Sequence, residues 1–183
     1  MKKKILNTEK IIGFSAIFIS LLTLIIFLYQ TKIISKQARL SVTPRLTFTA
    51  GVGHFDDVIK FSIGIKNNGL GPAIIDSTAI FANNKYYPLN FKDFTKKNYP
   101  QADTIISNSS TNIIARGATI LPNNEVQIAE AVVPNEKIAS YYKMYNLPIG
   151  STDFPFDVII YYSSIYEEKW KVSLKTVGHP IEL

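Results

Sequence analysis

The chain has 183 residues, no cysteine and a formal charge of +6. The missing cysteine removes disulfides, thiolate-held zinc and thiol catalysis together. Residues 1–43 carry seven Lys/Arg against one acid, Glu9, while residues 44–183 carry thirteen of each sign; the excess charge flanks one apolar segment, and no nucleic-acid partner is expected.

Residues 1–10 form a basic tail with Lys2, Lys3, Lys4 and Lys10, and from Ile11 to Thr31 no residue is charged. At about 1.5 Å per residue such a stretch makes a helix of roughly 30 Å, the thickness of a bilayer's hydrocarbon core. Backbone groups in lipid must pair within their own segment, so residues 11–31 are expected to be a transmembrane helix. Ile11, Phe14, Phe18, Leu22 and Ile26 face the lipid bilayer in this reading, and Tyr29 sits at the exit, where an amphipathic ring suits the interface. A cleavable secretory signal has a shorter apolar core and small residues at its cleavage site. Here YQTKIISKQAR follows, so the segment reads as a retained signal anchor. Lys and Arg nearly balance across its two ends, and the Lys2–Lys4 run tips the expectation toward a bacterial inner membrane with the domain extracytoplasmic.

Residues 32–44 keep apolar positions among polar ones and read as a helical stalk stopped by Pro44. From Arg45 the period becomes two. RLTFTAG and VIKFSIGIK alternate apolar with polar residues, as half-buried antiparallel strands do. The run Asn67-Asn68-Gly69-Leu70-Gly71-Pro72 is a dense turn signal, in which glycines are expected to supply positive φ. AIIDSTAIFAN follows, and Asn83-Asn84 makes a tight connection into KYYPL. Residues 90–112 lack periodicity and read as a long loop with one helical turn near Phe91–Lys97. IIARGATIL and EVQIAEAVV resume the strands. Ile138, Tyr141, Tyr142 and Tyr145 then mark one short helix, and FPFDVIIYYSS and EKWKVSLKTV close the chain as a hairpin. The expected architecture is an all-β antiparallel sandwich over residues 45–178, with one short helix, behind the membrane anchor.

The piece IKFSIGIKNNGLGPAIIDSTAIFANNKYY resembles the strand–turn–strand of bacterial immunoglobulin-like modules of the cell-adhesion-related (CARDB) type, where a strand ends in N-x-G-x-G-x-A. ILPNNEVQIA and DVIIYYSSIYEEKWKVSL are similar to the middle strand and terminal hairpin of such modules. The layout also resembles small single-pass bacterial membrane proteins. The resemblance implies an immunoglobulin-like sandwich that binds partners or spaces domains, and it brings no catalytic residue. KIIGFSAIFISLL separately resembles a type IV prepilin processing site at Gly13-Phe14, but the glutamate expected at the fifth mature position is Phe18 here.

No residue set announces a reaction. The Gly69/Gly71 turn lacks the following helix that a phosphate loop needs. His54 and His179, with Asp56 and Asp57, supply no third metal ligand at a meaningful spacing, so no metal and no cofactor are expected. Serines are plentiful without a nucleophile elbow. Tyr86, Tyr87, Tyr162, Tyr166 and Trp170 form the expected interaction surface, with cross-strand packing as their competing role. The functional expectation is a non-enzymatic, membrane-anchored module that binds another protein. A pilin-like subunit and a membrane-tethered hydrolase, the latter built on Asp93 and Asp103 with His54, are the alternatives.

Overall fold

The computed structural model describes residues 8–176 and 179–183. Lys2, Lys3 and Lys4, on which the expected orientation rests, and the expected domain end at residue 178 lie outside them. The chain divides into two compact units, Met1–Ser41 and Val42–Leu183.

In the first unit, α1 runs unbroken from Thr8 to Leu40. The expected membrane segment and stalk are therefore one helix, which stops at Leu40 and not at Pro44. It is long and apolar enough to cross a membrane. Ser20, Thr23 and Thr31 each donate a 2.8 Å hydrogen bond to the carbonyl four residues earlier, on Ala16, Ile19 and Phe27. These hydroxyls are satisfied within the helix. Ile11, Phe14, Phe18, Leu22, Ile26 and Tyr29 are all exposed.

The second unit contains β1 (Leu46–His54), β2 (Val58–Asn67), β3 (Ala73–Ala82) and β4 (Lys85–Pro88), followed by α2 (Phe91–Asn98) and α3 (Ala102–Ile105). Then come β5 (Asn108–Thr111), β6 (Thr119–Ile120), β7 (Glu125–Pro134), α4 (Ile138–Met144), β8 (Phe156–Ser163), β9 (Lys169–Ser173) and β10 (Ile181–Glu182). The strands make two antiparallel sheets, β1-β2-β7-β5 and β10-β9-β8-β3-β4, with β6 paired to the start of β3. Inward residues of both sheets join one buried cluster: Phe61, Ile63 and Ile65 of β2 and Ile128 of β7 on one side, Ile80 of β3, Val158 and Ile160 of β8 and Val172 of β9 on the other. A core shared by two sheets is what period-two alternation demands when each sheet keeps a wet face.

The short helix expected at Ile138–Tyr145 is α4, the helical turn expected near Phe91–Lys97 is α2, and α3 is a further helix beyond those expected. Residues 90–112 are not a loop but α2, α3 and β5, and Asn108–Thr111 escapes a pattern reading because NSST has no apolar alternation. The hairpin turn at Asn83-Asn84 has φ of 50° and 58°, the primed geometry that suits twisted strands.

The run from Asn67 to Pro72 closes no hairpin; it carries the chain from β2 in one sheet to β3 in the other. Among the described glycines only Gly117 and Gly150 have positive φ, which corrects the expectation for Gly69 and Gly71. Their role is close approach: a Cβ on Gly71 would collide with the Val42 carbonyl, and one on Gly69 with the Arg45 nitrogen. Beside them Asn67 is fully buried. Its side-chain oxygen accepts the N–H groups of Arg45 at 3.1 Å and Gly69 at 2.9 Å, and its amide donates to the carbonyls of Gly71 at 2.8 Å and Ile120 at 2.9 Å.

Candidate functional site: an aromatic-walled cavity

The helices are built by ordinary local rules. Asn90 caps α2: its side-chain oxygen accepts the Asp93 N–H at 3.2 Å and its amide donates to the Asp93 carboxylate at 2.7 Å. That cap turns Phe91 and Phe94 inward. In α4 the helical spacing brings Tyr141, Tyr142 and, just beyond its end, Tyr145 into the core. The two insertions, between β4 and β5 and between β7 and β8, bring these helices over the inner face of the four-stranded sheet.

Between them lies a cavity of about 170 Å³. Its floor comes from two transverse rows of that sheet in register: Ala50, Ile63, Ala129 and Thr111 in one, Val52, Phe61, Ala131 and Ser109 in the other. Small side chains dominate the floor and leave the space. The walls are Phe91, Tyr141, Tyr145, Phe154 and Phe156. These rings hold one another: Phe61 stacks on Tyr141 at 4.5 Å, Tyr141 meets Tyr145 edge-on at 5.3 Å, and Phe154 stacks on Phe156 at 5.3 Å. Burial raises the phenol pKa of Tyr141, with Tyr145 and Tyr142 adding to it, and burial likewise raises that of Tyr145. Both walls are therefore neutral rings at any physiological pH.

Charged groups stand only among the polar lining: Lys92, Lys96, Asp103 and Glu130. Glu130 pairs with Lys60 at 2.8 Å and accepts from Gln127 at 2.6 Å; the hydrogen bonds from Lys60 and then Gln127 hold its carboxyl below the usual range. Asp93 and His54 are not in the lining, and the Asp93 carboxylate accepts from the Asn90 cap. Among the described residues no three His, Asp or Glu side chains cluster as a metal site. What the arrangement offers is a partly open, aromatic-walled seat with room for an apolar group about the size of one ring, since a cavity of about 150 Å³ accepts benzene.

The expected aromatic surface does not form one patch. Tyr162 and Trp170 are buried and stacked at 5.6 Å, so they serve the core. Tyr87 is half-buried against Phe94 at 5.3 Å. Tyr86 is exposed against Phe81, and Tyr166 is exposed at the β8–β9 turn. Asn67, Gly69, Gly71 and Pro72 form the sheet-to-sheet crossover, away from the cavity lining. The cavity residues that pattern reading missed are Phe154, Phe156 and the small floor residues; an alanine in an alternating strand carries no signal of what it leaves empty. No protein-family model, curated protein or solved structure matches the chain.

Proposed function

We propose that the chain is a single-pass, membrane-anchored binding module whose immunoglobulin-like head seats an apolar group presented by a partner protein. The cavity carries this reading: its neutral rings and small floor residues recognise apolar surface, with Lys92, Lys96, Asp103 and Glu130 among its polar lining. The strand orders support the immunoglobulin-like assignment, because β1-β2-β7-β5 and β9-β8-β3-β4 follow the A-B-E-D and G-F-C-C′ orders of such sandwiches. The anchor is α1, and the positive charge at the N-terminus places the head outside the cytoplasm in this reading.

The test uses the full chain in intact cells, with photo-reactive benzoylphenylalanine replacing Thr152, an exposed residue of the cavity lining. Irradiation is expected to give a discrete adduct with a different polypeptide, lost when Ala131→Leu narrows the cavity. Adducts to lipid alone would overturn the protein-partner reading. Protease added to spheroplasts is expected to remove the head, and cutting only after lysis reverses the orientation.

A further inference from the structure

We infer that the free edge of β1 pairs with β1 of a second copy of this chain, antiparallel about a two-fold axis at Ala50. The inference rests on the membrane-anchored reading, and its residues Ala50 and Val52 also stand in the cavity floor; its readout is covalent pairing of two copies and not ligand binding.

The edges of the two sheets are not alike. β4 begins with Lys85 and ends in Pro88, β5 is a polar four-residue strand, and β10 has two residues. Each is short or guarded, as natural edges usually are. β1 is nine residues long, holds no Pro, Lys, Arg, Asp or Glu, and among the described residues pairs on one side only, with β2. Ala50, Gly51 and Val52 along it are exposed.

Local hydrogen bonds fix which backbone groups face outward. The Asn68 N–H donates to the Arg45 carbonyl at 2.8 Å, and the Phe55 N–H to the Val58 carbonyl at 2.9 Å. The Leu46 N–H turns instead to the Tyr162 hydroxyl at 3.3 Å. Antiparallel ladders alternate strictly, so odd positions of β1 bond β2 and even positions point away. Phe48, Ala50 and Val52 therefore present N–H and C=O groups with no partner among the described residues, while the Leu46 N–H is already engaged.

This pattern is self-complementary. With Ala50 opposite its own copy, Phe48 faces Val52 of the second chain, and three residues per chain supply about six ladder hydrogen bonds. Phe48, Ala50 and Val52 lie on the sheet's inner face, so an aromatic ring meets a β-branched side chain there. On the outer face Thr49 meets Gly51, which has no side chain to obstruct it. No like charges oppose each other. A single strand pair is a small interface, and confining both copies to one membrane raises their effective concentration and so favours the pairing.

The absence of native cysteine makes the test direct. Full-length chain carrying Ala50→Cys, in its own membrane, places two thiols across the axis at a Cα separation of about 5.5 Å, inside disulfide range. Mild oxidation is expected to give a disulfide dimer at least tenfold above that of Ser110→Cys on the β5 edge. Adding Val52→Lys to the Ala50→Cys chain is expected to remove it. Dimer formation from Ala50→Cys no greater than from Ser110→Cys overturns the inference, as does a dimer that Val52→Lys leaves intact.

Discussion

The hydroxyl of Tyr162 accepts the backbone N–H of Leu46 at 3.3 Å, tying β8 of one sheet to the first residue of β1 in the other. Both residues are fully buried, so no water replaces the bond. Tyr162→Phe keeps the ring stacked on Trp170 but orphans the Leu46 N–H. It is expected to cost about 1–3 kcal/mol, read as a lower urea midpoint at unchanged slope. A loss below a few tenths of a kcal/mol would show that the bond is dispensable.

The same phenol predicts an alkaline limit. Burial, opposed by the Leu46 hydrogen bond and the nearby Arg45 charge, pushes the Tyr162 pKa up to about 12, and burial raises Tyr141 and Tyr145 further. In the unfolded chain these groups ionise near 10. Stability from keeping them neutral is fully present below pH 10 and falls as pH rises from about 10 through 12. Thermal melts across that window are expected to drop steadily in the native chain, and less steeply in Tyr162→Phe.

Asn67 bonds four backbone groups from three separate segments. Asn67→Ala takes a buried partner away from all four, leaving the Arg45 and Gly69 N–H groups without the acceptor that held them, and is expected to cost about 3–5 kcal/mol, the upper part of the range for single substitutions. Asn67→Asp is expected to be no better, since it removes both donors and buries a carboxylate. Chemical denaturation of the three chains checks the order.

Gly71→Ala is expected to destabilise comparably by a different route. Its φ is not the obstacle; the new methyl would occupy the space of the Val42 carbonyl, and backbone cannot swing aside as a side chain can. A Gly117→Ala control, with positive φ of 82° and open space around it, should cost only about 1 kcal/mol. Equal losses at the two sites would show that the crossover can relax.

Ala131→Leu narrows the cavity from its floor. Binding of anilinonaphthalenesulfonate, followed by fluorescence, is expected to weaken by about tenfold, a change of about 1.4 kcal/mol, while the melting temperature holds or rises. Unchanged dye binding would place the apolar site elsewhere.

The long apolar helix and the alternating strands were legible because each rests on local arithmetic. The run from Ile11 to Thr31 has the length and composition of a membrane helix whatever follows it, and β2 or β8 declares its inward face through spacing alone. The primed turn at Asn83-Asn84 is equally local. The sequence also marked Asn67, Gly69 and Gly71 as special without showing why, because the reason is the Val42–Arg45 segment lying against them, remote in the chain. Tyr162 and Trp170 read as surface candidates, since period two says that faces alternate but not that β8 and β9 both turn these residues into the core. The cavity was invisible for the deepest reason: it is a space bounded by β1, β2, β5, β7 and the helices, and a void is a property of how separate elements meet. Ala50, Ala129 and Ala131 acquire meaning only when the ladder sets them beside each other under the rings of Tyr141 and Phe154.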